Sequence, residues 1–103
     1  MSAKAKCTLI HLSQERSIDP KQYFTGAWRS IRLERLEPGQ RLDRTMEEIE
    51  KSYFVLSGSG SAVVGNREFN LYHATTLTFP HGSSFRLDAG KEGLELFVVT
   101  LEA

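Results

Sequence analysis

Glu37-Pro38-Gly39-Gln40-Arg41-Leu42-Asp43-Arg44-Thr45-Met46-Glu47-Glu48-Ile49-Glu50-Lys51-Ser52-Tyr53-Phe54-Val55-Leu56-Ser57-Gly58-Ser59-Gly60 is the stretch on which the fold of this chain turns. It opens on a turn, Glu37-Pro38-Gly39, and closes on a second, Ser57-Gly58-Ser59-Gly60, because proline and glycine supply backbone angles that strands and helices avoid. Tyr53-Phe54-Val55-Leu56 reads as a strand, and it is apolar on both faces, so something must cover each side of it. Arg44–Lys51 is ambiguous. Met46-Glu47-Glu48-Ile49-Glu50 are good helix formers, and propensity alone allows a helix there as readily as a strand or loop.

Working outward, short β-type segments recur with turn residues between them. The expected strands are Thr8–Leu12, Trp28–Leu36, Tyr53–Ser57, Ser61–Gly65, Glu68–Leu71, Thr75–Phe79, Ser84–Leu87 and Leu94–Leu101. Gly65-Asn66 predicts a tight hairpin, and Pro80-His81-Gly82 and Ala89-Gly90-Lys91 predict further turns. Ser17–Gly26 holds a proline and a glycine and allows one helical turn at most. This spacing predicts an all-β sandwich or barrel, and 103 residues fit one domain, 1–103.

Thirteen basic residues balance thirteen acidic ones, so no net field favours nucleic acid or an acidic membrane. The N-terminal residues carry no long apolar run, which argues against a signal peptide or a membrane span and makes cytoplasm the expected compartment. Cys7 is the single cysteine; it has no disulfide partner within the chain and is expected to be a small buried hydrophobe.

The stretch from Glu37 to Gly60 resembles the first cupin motif, G-x5-H-x-H-x3,4-E-x6-G, with Gly39 and Gly58 at its outer glycines and Tyr53–Gly58 similar to its YYVLEG ending. Ala74–Ala89 is similar to the second motif, with Pro80-His81-Gly82 as its P-x-G. The resemblance covers roughly Ile31 to Val99. It implies a double-stranded β-helix, the jelly-roll cupin barrel of two antiparallel sheets. In metal-binding cupins two histidines, a glutamate and a third histidine hold a divalent metal inside the barrel. Here those positions fall on Thr45, Glu47, Lys51 and Phe85, or, with the alternative spacing, the first two on Arg44 and Met46. An ammonium and a phenyl ring offer a cation no lone pair, so neither a metal nor another cofactor is expected. A non-standard metal set of Glu47, His81 and Asp43 is an alternative.

Without an intervening bulge, alternation places Thr45, Glu47, Lys51, Tyr53 and Val55 on one face, which the resemblance makes the interior. The expected ligand-binding residues are Thr45, Glu47, Lys51, Tyr53, His81 and Phe85. Lys51 would bind the acid group of a small polar or anionic molecule, Glu47 would orient it, and Tyr53 and Phe85 would wall the pocket. Two other readings stand beside this one. Lys51 and Glu47 pair structurally in a vestigial site, or Lys51 is a desolvated Schiff-base nucleophile.

His81 is expected near the barrel rim, while His11 and His73 are expected at the surface. Arg32, Glu34, Arg35, Arg41, Arg44 and Arg86 cannot be assigned a face by alternation; Arg44 and Arg86 are the better candidates for the mouth. Trp28 reads as a core or interface anchor. The two-faced apolar strands Tyr53–Leu56 and Leu96–Val99 need outer cover, from the strand Thr8–Leu12 either within the chain or exchanged with a second copy, and a homodimer is expected. The leading function is therefore a metal-independent binding module for a small organic ligand. The alternatives are a small isomerase, cyclase or lyase using Glu47, Lys51, Tyr53 or His81, and a vestigial dimeric interaction barrel.

Overall fold

The structure, a computed structural model, describes residues 8–103. Seven strands carry the fold: β1 (Ser17–Ile18), β2 (Trp28–Leu36), β3 (Arg41–Thr45), β4 (Ile49–Val64), β5 (Arg67–Leu71), β6 (Thr76–Phe79) and β7 (Ser84–Glu102). All pairings are antiparallel. A four-residue helical turn, α1 (Leu12–Glu15), and a 3₁₀ turn at Pro20–Gln22 complete it, with Asp19 capping the latter through the Lys21 amide at 3.0 Å.

β4 and β7 are long because each belongs to both layers of the barrel. Ile49–Gly58 of β4 runs beside Leu94–Glu102 of β7, flanked by β6 on one side and β2 on the other. Past the bend, Gly60–Val63 pairs with Arg86–Ala89, flanked by β5 and β3. The register slips at Val55/Ser57 and Gly58/Gly60, as a strand must when it bends from one sheet into the next. The segments expected to be turns at Ser57–Gly60 and Ala89–Lys91 are therefore bends within continuous strands. Glycine is needed there for close approach: a Cβ on Gly58 would sit 2.0 Å from the Gly93 carbonyl oxygen, and one on Gly60 2.2 Å from that of Asp88.

The N-terminal segment departs from expectation. Thr8–His11 is irregular, α1 follows, and Leu9 is 76% exposed, so no strand Thr8–Leu12 covers the barrel. Two residues of β1 pair with the edge of β2 instead, and the Arg16 carbonyl accepts from the Leu33 amide. Cys7 lies outside the described residues. The ambiguous Arg44–Lys51 is the end of one strand, a connection and the start of another, as the resemblance implied, and not a helix.

The core gathers Leu36, Met46, Tyr53, Val55, Ala62, Leu71, Phe79, Phe85, Leu87, Ala89, Leu94, Leu96 and Val98 between the layers. Each large side chain taken fully out of water contributes roughly 1.5–3 kcal/mol. At its centre Phe79 and Phe85 stack with centroids 3.8 Å apart, and Tyr53 meets both rings edge-on at 6.0 and 5.6 Å. Among the described residues no helix is long and apolar enough to cross a membrane.

Candidate functional site

Strand register fixes what faces the interior, because residues directly opposite one another share a face. Tyr53 lies opposite Val98, and both are fully buried; Lys51 lies opposite buried Thr100 and, across β6, buried Phe79. On β2, Arg32 is opposite Val98 and Glu34 opposite Leu96, so both charged residues share that interior face. On β3, Arg44 is opposite buried Phe85. One end of the barrel is thus lined by Arg32, Glu34, Arg44 and Lys51, with Tyr53 and the two phenylalanines beneath.

β2 is inverted relative to the usual pattern. Its charged Arg32 and Glu34 look inward, while Ile31 and Leu33 look outward, opposite Val99 and Phe97. Sequence reasoning left these two charges unassigned. Apolar-in alternation would have turned the strand the wrong way, and only its register against β7 corrects it.

The expected residues separate. Lys51, Tyr53 and Phe85 line the interior together. Thr45 does not join them: its hydroxyl bonds the Ser84 hydroxyl at 3.0 Å on the exposed outer face. Glu47 is exposed in the β3–β4 connection and makes no ion pair with Lys51. The reason is a change of parity. Inward positions are even on β3 (Leu42, Arg44, then Met46, 1% exposed) and odd on the first part of β4 (Lys51, Tyr53, Val55), with Glu48 at φ 60° between them. The alternative spacing, Arg44 and Met46, is the one that points inward.

His81 is exposed and structurally engaged: its Nδ1 accepts the Glu48 amide at 3.0 Å, and its own amide donates to the Glu50 carboxylate at 3.2 Å. It ties the β6–β7 turn to the β3–β4 connection, with Met46 and Ser83 or Gly82 exchanging backbone bonds of 2.8 Å beside it. His11 and His73 are exposed as expected, the latter with Nδ1 3.0 Å from the Leu56 carbonyl oxygen. Trp28 is half-buried against Phe24, centroids 5.2 Å apart. Arg86 lies on the outer face, sharing the Asp88 carboxylate with Arg41 at 2.9 and 2.8 Å; those bonds hold Asp88 below the usual carboxylate range.

The electrostatics of the mouth follow from burial and an excess of positive charge. Burial pushes the Lys51 amine down, Glu34 opposes this, and Arg44, Arg32 and Arg29 add to it. Burial, then Glu34, pushes the Tyr53 phenol well above its ordinary value, so it stays protonated and is a hydrogen-bond donor. Yet Tyr53 is fully buried and its hydroxyl has no protein partner. Glu34 is engaged with Arg32 at 3.3 Å.

The outer face of the first layer is apolar. Phe54, Leu56, Phe97 and Val99 line a shallow cleft of about 450 Å³, which continues through Ser52 and Val99 into a smaller one of about 130 Å³ bounded by Thr78, Pro80 and Leu101. By contrast, the outer face of the second layer carries Arg41, Asp43, Arg86 and Asp88.

No protein-family model and no curated protein matches the sequence. Solved structures do match. A predicted oxalate decarboxylase from Thermotoga maritima superposes with a TM-score of 0.69 at 19% identity, covering 75% of this chain and 69% of that one. A cupin protein from Bacteroides fragilis gives 0.68 at 13% identity over 100% of this chain and 82% of that one. KdgF from a Halomonas species gives 0.68 at 11% identity over 77% and 72%. The chain has the cupin fold, a small β-barrel of antiparallel sheets.

Proposed function

We propose that the barrel mouth is a metal-independent binding site for a small organic anion. The observation that carries this reading is the fully buried, unpartnered hydroxyl of Tyr53 beneath a lining of three cations and one carboxylate. A buried donor left without an acceptor costs stability, and an acid oxygen arriving from the mouth would satisfy it. Arg44 and Lys51 then neutralise the ligand's charge, Glu34 steadies Arg32, and the Phe79–Phe85 stack forms the apolar floor.

The divalent metal held by metal-binding cupins does not fit this lining. Arg44, Met46, Lys51 and Phe85 supply at best one thioether to a hard or borderline cation. Among the described residues no three histidine, cysteine, aspartate or glutamate side chains converge, the set Glu47, His81 and Asp43 included. An acid–base enzyme is the second reading, and its acid would be Tyr53, the group that keeps its proton.

The apolar outer face of the first layer is read as the contact between two copies of the chain. Its contrast with the charged second layer, and the absence of a covering strand at Thr8–Leu12 among the described residues, support that partner. Thermal shift with a panel of small carboxylates tests the binding reading. Saturation at a hundred times Kd corresponds to about 2.7 kcal/mol of stabilisation, and Arg44→Met and Lys51→Met each reduce the response. No response to any acid overturns the reading.

A further inference from the structure

We propose that Lys51 forms a reversible imine with 2-oxo acids, so that the mouth selects a keto acid over the matching hydroxy acid. This rests on the reading of the mouth as an organic-anion site and adds a covalent step to it.

Imine formation needs an amine free of a carboxylate, a neighbouring proton donor and a cation for the substrate's acid group. Of the three lysines among the described residues, Lys21 pairs with Glu102 at 2.7 Å, Lys91 is exposed, and Lys51 faces the barrel interior. Lys51 takes part in none of the ion pairs among the described residues, and its ammonium lies 5.8 Å from the Tyr53 ring centroid. Half-burial, opposed by Glu34 and reinforced by Arg44 and Arg32, shifts the balance toward the neutral amine, the form that attacks a carbonyl. Two positions along the same face, the Tyr53 hydroxyl keeps its proton and has no protein partner.

The step balances without any oxidant or reductant. The Lys51 Nζ lone pair attacks C2 of the keto acid, and the carbonyl oxygen takes up a proton to give a carbinolamine. The C–O bond then breaks, and the oxygen leaves as water with the two protons the neutral amine gave up, as the C=N bond forms. Tyr53 donates its hydrogen bond to that oxygen, and Arg44 holds the carboxylate.

The test uses the full chain with pyruvate and, separately, L-lactate, each with and without borohydride, read by intact mass and peptide mapping alongside thermal shift. The expected result is stabilisation by both acids, with one reduced adduct, on Lys51, formed from pyruvate alone. In Lys51→Arg the adduct is lost while stabilisation by both acids remains. Stabilisation by both acids with no adduct, or an adduct spread over Lys21 and Lys91, overturns the imine and leaves the anion site standing. No stabilisation and no adduct overturns both.

Discussion

Tyr53→Phe removes one oxygen atom from the centre of the barrel, and its effect on stability has an unusual sign. The side chain is fully buried, its ring packs edge-on against Phe79 and Phe85, and its hydroxyl has no protein partner. A satisfied buried hydroxyl is worth about 1 kcal/mol, so most buried Tyr→Phe changes destabilise; an unsatisfied one carries a desolvation cost of about 1–3 kcal/mol. The ring contacts survive the substitution, so the variant should be more stable than the parent by about 1–2 kcal/mol, the low end allowing for contacts the oxygen makes. For a domain of this size that is a rise of roughly 4–8 °C in Tm per kcal/mol. The assay is urea and thermal unfolding followed by circular dichroism, without and with a carboxylate that stabilises the parent. With ligand present the difference should shrink or reverse, because the parent alone offers the donor. A variant less stable than the parent by 1 kcal/mol or more in the absence of ligand would show that the hydroxyl is already satisfied, and would remove the main support for the site.

Gly58→Ala should cost more than about 3 kcal/mol or abolish folding, since its Cβ meets the Gly93 carbonyl at 2.0 Å with φ at 90°. Gly65→Ala, with φ at 63° and open space around it, should cost only about 1–2 kcal/mol on denaturant unfolding. Lys51→Met should flatten the pH dependence of stability. The folded pKa lies below the unfolded one near 10.4, so between them the unfolded chain holds a proton the folded chain lacks, and parent stability rises with pH across that window. Melting curves from neutral pH to about 10 should show the rise in the parent and not in the variant. Phe97→Glu on the half-exposed outer face should halve the solution mass by light scattering while leaving the circular dichroism spectrum unchanged. His81→Ala should lower stability by about 1 kcal/mol through loss of the acceptor for the Glu48 amide, without altering carboxylate binding.

The fold was largely legible because strand boundaries carry local chemistry. Trp28–Leu36 reads from sequence as it stands in the structure, and so, within a residue, do Arg67–Leu71 and Thr76–Phe79. Glycines were the main source of misreading. Ser57–Gly60 and Ala89–Lys91 contain residues that reverse a chain, but a strand bending between sheets needs the same freedom, and only close approaches such as those of Gly58 to Gly93 and Gly60 to Asp88 separate the two cases. The site was legible only in part. Lys51, Tyr53 and Phe85 follow from alternation in their own strands, whereas Thr45 and Glu47 required parity to persist across a connection that changes it at Glu48. Arg32 and Glu34 were hidden for a different reason. Burial of apolar residues is the rule from which facing is inferred, and β2 breaks that rule by turning Arg32 and Glu34 inward and Ile31 and Leu33 outward.

The sharing of β7 between both layers bears on how the chain acquires its shape. β2, β3 and β4 all take their hydrogen-bond partners from Ser84–Glu102. While the ribosome is still adding that segment, β3 has no partner strand, β2 has only the two residues of β1, and β4 has only β5 and β6 along one edge. Closure must therefore wait until Ser84–Glu102 has been made, and until then the emerging chain exposes Tyr53–Leu56, apolar on both sides, to any chaperone or to a neighbouring nascent copy.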